Sequence, residues 1–182
     1  MHLRRRLLVT AESLCVDESM PTDIGGIPLH PLVVHAVTVL LPLSALGVLL
    51  IAVVPRWRAK YATLVLIVTA LATVLTPVAT SSGESLEERV AESELVDRHA
   101  ELGDLMIWFA LPLLLAAVAL WWLARKEQGD QEVGRGLTLA ISVLSVAVAV
   151  AASVQIVLVG HSGAKSVWEG TPAASQGEGD EG

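Results

Sequence analysis

Four uncharged apolar runs, each about long enough to cross a membrane, dominate this chain of 182 residues. A helix needs about 20 apolar residues to cross about 30 Å of hydrocarbon. Because no water reaches that layer, the backbone polar groups must pair within the segment, so such runs predict helices. Hydrophobic residues make up 53% of the chain and charged residues 17%, a balance that is rare in soluble domains. The runs cover residues 32–54, 61–79, 105–124 and 137–159.

Short connections between these runs predict an all-α fold, a four-helix transmembrane bundle of up-down-up-down order. The composition of residues 84–98 predicts an extracytoplasmic helix that leads into the third span. Ser82-Gly83-Glu84 is expected to end the second helix, and the glycines around His161 are expected to end the fourth. A stripe at spacings of three and four should turn one face of the extracytoplasmic helix toward the bundle: Leu95, His99, Leu102, Met106 and Phe109.

The membrane domain is expected to occupy residues 27–170. Residues 1–26 are predicted to be a disordered N-terminal extension, because residues 1–19 contain no membrane-length apolar run, and Met20 offers an alternative start. Residues 171–182 are mostly Gly, Ala, Ser and acidic residues, which predicts a disordered acidic tail.

The basic residues predict the orientation of the bundle. Residues 55–60 and 125–135 carry Lys and Arg in two short connections, and connections of this kind stay in the cytoplasm. The chain is therefore expected to be a multi-pass protein of the inner (plasma) membrane with both termini extracytoplasmic. Only three of the 19 acidic residues fall in these connections, so the outer face is acidic. Nucleic acid is excluded as a partner, because phosphate binding needs a basic patch.

Four of the five histidines map to the same, outer end of the predicted bundle: His30, His35, His99 and His161. Ionisable side chains at membrane depth are costly and therefore count as candidates for a site. His35 lies about 7 Å deeper than His30 and points roughly 140° away from it around the helix. We therefore expect His35, His99 and His161 to converge as cofactor-binding residues, with His30 at the rim.

Three classes of function remain open for these histidines. Haem b takes imidazoles from facing helices of a bundle, which would make the protein a redox or sensory one. Zinc or copper could bind His35, His99 and His161, with oxygen from Glu84 or Asp104. In the third class, a structural or interaction protein without cofactor, the histidines only hydrogen-bond the helix ends. The chain contains no hydrolase or transferase motif and no CxxCH haem attachment site, so whether it is an enzyme stays open. Besides the lipid bilayer, a second copy of the chain or a membrane redox partner remains open.

Several of these segments together resemble a known family. Residues 29–35 read LHPLVVH and resemble the LHPxxVH opening of the bacterial membrane family named domain of unknown function 2231 (DUF2231). Further matches are Ser82-Gly83-Glu84, Arg98-His99 with Gly103, and residues 160–164 with Val167-Trp168 and Gly170. Relatives often carry a doubled glycine where this chain has Gly163-Ala164, and sometimes a histidine near the position of Trp168. The resemblance covers about residues 27–170 and implies the fold and the motif boundaries, and no activity.

Overall fold

The computed structural model describes residues 23–24, 27–87 and 93–168. The extension predicted over residues 1–26 and the tail predicted over residues 171–182 fall almost wholly outside this part of the chain. The elements are β1 (Asp23–Ile24), β2 (Ile27–Pro28), α1 (Leu29–Val53), α2 (Pro55–Glu87), α3 (Glu94–Asp104), α4 (Ile107–Gln128) and α5 (Arg135–Trp168).

The described residues include four helical segments long and apolar enough to cross a membrane, which confirms the predicted all-α transmembrane fold. They are His30–Val53, Pro55–Glu84, Glu94–Gln128 and Arg135–Trp168, so α3 and α4 together form the third span. Strands β1 and β2 add only a two-residue antiparallel pairing before α1, with Asp23 opposite Pro28 and Ile24 opposite Ile27.

Three helix ends differ from those predicted from the sequence. Only Val54 separates α1 from α2, because Pro55 starts the new helix at once, where its missing N–H costs nothing. Helix α2 continues through Ser82-Gly83-Glu84 to Glu87, so the predicted break is wrong. Helix α5 continues past His161 to Trp168, so the predicted stop is also wrong. A glycine costs a helix interior only about 1 kcal/mol, which packing against a neighbour can offset.

The helix leading into the third span is present as α3, with the side chain of Ser93 accepting the N–H of Val96 at its start. Its predicted stripe faces the bundle as expected: Met106 is buried, and Leu95, His99, Leu102 and Phe109 are partly buried.

The four spans pack as a ring in which α1 contacts α2 and α5, and α4 contacts the same two helices from the other side. Helix α3 lies mainly against α5. The start of α1 lies beside the end of α2, as the contact between His30 and Ala79 requires. These contacts are those expected of an up-down-up-down bundle, and its alternation across the membrane remains a prediction.

Small residues bring the helices of the core close together. Alanine is the commonest buried residue, and small side chains at helix contacts let backbones approach in a membrane bundle. Larger side chains fill the space between the alanines, above all Val48, Ile51, Leu113, Leu120 and Leu123. The core therefore depends on close packing rather than on one amphipathic face of each helix.

Buried hydroxyls are satisfied mostly within their own helices. Thr69, Thr73 and Thr76 donate to carbonyl oxygens four residues earlier at 2.7, 2.8 and 2.9 Å. Gln155 is different, because its Nε2 donates 2.9 Å to the carbonyl oxygen of Leu102 on α3. No buried side-chain N or O atom among the described residues lacks a partner.

At the end of the bundle away from the histidines, an ion pair joins α2 to α4. Arg58 is 2% exposed, and its Nε and Nη2 donate to the two carboxylate oxygens of Glu127 at 3.2 and 2.7 Å. The next residue, Gln128, donates to the carbonyl oxygen of Ala59 at 2.6 Å. The start of α2 is thereby fixed to the end of α4.

Candidate histidine site

His30 is held against α2 although it lies in the first turn of α1. Its Nδ1–H donates to the carbonyl oxygen of Ala79 at 3.0 Å and lies 3.2 Å from the hydroxyl oxygen of Ser82. Its ring also packs on Gly83, where an added Cβ would stand 3.0 Å from the ring carbon Cε1. The half-buried position of His30 therefore depends on the Ser82-Gly83 pair.

His99 is held in the same way against α5. Its Nδ1 lies 3.0 Å from the hydroxyl oxygen of Ser162, which is itself buried. A Cβ added at Gly163 would stand 2.9 Å from Cε1 of His99. Each histidine thus pairs with a serine and lies on the glycine that follows that serine, on the opposite helix.

The hydrogen bonds determine which ring nitrogen carries the proton in the neutral histidines. The carbonyl oxygen of Ala79 can only accept, so His30 must carry its hydrogen on Nδ1. The hydroxyl of Ser162 donates to the carbonyl oxygen of Val159 at 2.9 Å, so it accepts from Nδ1 of His99. Among the described residues, no hydrogen bond engages Nε2 of His30 or His99. Both rings therefore present an Nε2 lone pair.

Helix α1 packs against α2 and α5, and α3 contacts the same two helices. The two half-sites, one on α1 and α2 and one on α3 and α5, therefore lie at the same end of the bundle. No group of three or more His, Cys, Asp or Glu side chains in the described part of the chain is placed to hold a metal ion.

The structure reverses the predicted ranking of the histidines. His35 is exposed and its Nδ1–H donates to the carbonyl oxygen of Pro31 in its own helix, so it does not converge with His99 as predicted. His161 is also exposed, because α5 continues as a helix and turns Ser162 inward instead. His30, predicted to lie at the rim, is the inward residue of α1. The metal-ligand alternatives Glu84 and Asp104 are exposed.

The serines and glycines that hold the rings are not among the site residues predicted from the sequence. In the sequence, Ser82-Gly83 and Ser162-Gly163 indicate only motif matches and helix ends. The same Ser-Gly pair occurs in both segments, and that repetition is the sequence signal that could have paired each segment with a histidine. Which histidine meets which pair follows only from the packing of the helices.

Comparison with known proteins gives one family match. A family model described as "Predicted membrane protein (DUF2231)" matches residues 26–174. No curated protein matches the chain. No solved structure matches it.

Proposed function

The chain belongs to the family of predicted membrane proteins named domain of unknown function 2231, and we propose that it holds haem b between His30 and His99. The Nε2 lone pairs that both rings present are the observation that carries this proposal. A histidine that binds a metal almost always donates its other ring N–H to a carbonyl, carboxylate or water. The hydrogen bond from Nδ1 fixes the tautomer and the ring orientation that binding through Nε2 would need.

The number of imidazoles favours haem over zinc or copper. A structural zinc site takes four protein ligands and a catalytic one usually three. In the described part of the chain His30 and His99 supply two imidazoles, and no third His, Cys, Asp or Glu joins them. Two imidazoles from different helices would suffice to hold haem, because the porphyrin would provide the other four nitrogens. Haem held by His30 and His99 would supply one-electron chemistry, so the proposed role is electron transfer or redox sensing.

A structural role is the second candidate, and the two Ser-Gly contacts favour it. Each histidine links two helices by a hydrogen bond from Nδ1, and each ring fills the space that a glycine leaves. In this role His30 would fix α1 to α2, and His99 would fix α3 to α5. The bundle would then need no cofactor.

Absorption spectroscopy separates the two candidates. We expect the full chain, expressed with haem supply or reconstituted with haemin in detergent, to show a Soret band at one haem per chain. His30→Ala and His99→Ala should each remove that band. His161→Ala and His35→Ala are the matched controls, because both side chains are exposed, and both variants should keep it.

Two results would contradict the haem proposal. One is a wild-type protein that binds no haemin in reconstitution while it remains folded. The other is equal haem binding by the His30→Ala and His161→Ala variants. In either case, a loss of thermal stability in the His30→Ala and His99→Ala variants would support the structural role.

We place the histidine end on the outer side of the plasma membrane. This orientation rests on the residues at the other end of the bundle, where residues 55–60 and 125–135 carry six basic and three acidic side chains. Connections rich in Lys and Arg are retained in the cytoplasm.

A further inference from the structure

A groove opens at the basic end of the bundle, between the last turn of α1 and the first turns of α5. Its volume is about 500 Å³. Apolar side chains form most of its wall, among them Val53, Leu139 and Val143. Two arginines, Arg58 and Arg135, line it near the starts of α2 and α5. The groove therefore combines a basic mouth with an apolar wall that runs along α5.

The two arginines differ in whether their guanidinium groups are paired within the chain. Arg58 gives Nε and Nη2 to Glu127, and its remaining Nη1 lies 3.5 Å from the hydroxyl oxygen of Ser142, which also lines the groove. Arg135 is exposed, and the structure gives it no ion pair within the residues that it describes. The guanidinium of Arg135 is therefore available to an anion from outside the chain.

Three other cations at this end lie over aromatic rings. Lys60, Arg125 and Lys126 lie 5.2, 5.2 and 5.8 Å from the ring centres of Tyr61, Trp121 and Trp122, respectively. Trp and Tyr concentrate at the level of the lipid headgroups. This aromatic layer places the mouth of the groove at headgroup depth and its apolar wall at the depth of the acyl chains.

We infer that this groove binds one anionic phospholipid of the surrounding bilayer. The headgroup phosphate binds Arg135 at the mouth of the groove, and one acyl chain lies along Leu139 and Val143. Basic pockets between transmembrane helices are where anionic headgroups bind. A free phosphate would leave the apolar wall unused, and a zwitterionic lipid would bring no net charge to Arg135. The lipid would also cover the contact between α1 and α5.

The test compares lipids on the full chain in detergent, by native mass spectrometry and by the thermal unfolding midpoint. We expect phosphatidylglycerol to bind more tightly, and to raise the midpoint more, than phosphatidylcholine of the same chain length. Arg135→Gln should weaken phosphatidylglycerol binding about fivefold and remove the preference, since one basic residue contributes about that factor near a membrane surface. Arg125→Gln is the matched control, because it removes a charge at the same end outside the groove, and it should keep the preference.

A second pair of variants tests the apolar wall. Val143 and Val157 are exposed to similar extents, 60% and 68%, but only Val143 lines the groove. Val143→Trp should therefore weaken binding of both lipids, and Val157→Trp should not. Equal stabilisation by the two lipids, equal effects of the two arginine variants, or equal effects of the two tryptophan variants would each overturn the proposal. Stabilisation by inorganic phosphate alone to the same extent would also overturn it, because the ligand would then be a soluble anion.

Discussion

Replacing Gly163 with alanine should release His99 from Ser162. The new Cβ would stand 3.2 Å from Nδ1 of His99 and 2.9 Å from its Cε1, and the second distance is shorter than real Cβ contacts, so the imidazole must move. When the ring moves, its hydrogen bond to Ser162 is lost. Gly160 provides the matched control one turn earlier in the same helix, because an added Cβ there meets nothing within 4 Å.

The two glycine-to-alanine substitutions should change the free energy of unfolding in opposite directions. Alanine is favoured over glycine by about 1 kcal/mol inside a helix, so Gly160→Ala should raise the free energy of unfolding by up to that amount. Gly163→Ala has the same gain, but it loses a hydrogen bond of about 1 kcal/mol and introduces overpacking of about 1–3 kcal/mol. The net result should be a destabilisation of about 1–3 kcal/mol.

Reversible unfolding in mixed detergent micelles, followed by helical circular dichroism, measures both variants against the wild type. In a His99→Ala background the difference between Gly163→Ala and Gly160→Ala should vanish, because the clashing ring is gone. If Gly163→Ala stabilises the unmodified chain as much as Gly160→Ala does, His99 does not lie on Gly163, and the proposed half-site is refuted.

Three further predictions concern other parts of the bundle. Glu127→Ala should destabilise the bundle by about 3 kcal/mol, because it leaves the buried Arg58 unpaired; a denaturation curve that matches the wild type would contradict this. Gln155→Leu should cost roughly 1 kcal/mol in the same assay by losing its bond to α3, whereas Ser153→Ala, which loses only a bond within its own helix, should cost less. A reporter active only in the cytoplasm should stay inactive when fused after Gly182, and strong activity would reverse the proposed orientation.

The membrane spans could be predicted because bilayer thickness and backbone desolvation act on each segment alone. Helix ends could not, since they depend on what a residue meets across the bundle. Gly83 and Gly163 have the composition of helix breaks, yet each lies inside a helix and makes room for a histidine ring. Because a glycine destabilises a helix only slightly, such a contact can decide whether the helix continues through the glycine or ends there.

The candidate site could be predicted only in part, because it also depends on how the helices pack against one another. The inward turn of His99 followed from a stripe of five residues that begins on α3 and continues into α4, and the structure confirms it. For His30 and His35 the sequence predicts the relative depth and the separation around α1, but not which of the two faces the bundle, and depth favoured His35. The rotation of α1 about its axis is set by its packing against α2 and α5, and this rotation turns His30 inward.

The ion pair between Arg58 and Glu127 also affects the order in which the protein is assembled. Most hydroxyls in the core bond within their own helix, so these spans enter the bilayer with those groups already satisfied. Arg58 has no such local partner, and the carboxylate that it needs lies 69 residues later in the chain. During synthesis the start of α2 must therefore keep its guanidinium at the aqueous interface until α4 arrives. The hairpin of the first two spans therefore contains an unpaired arginine, and the third span supplies the carboxylate that pairs with it.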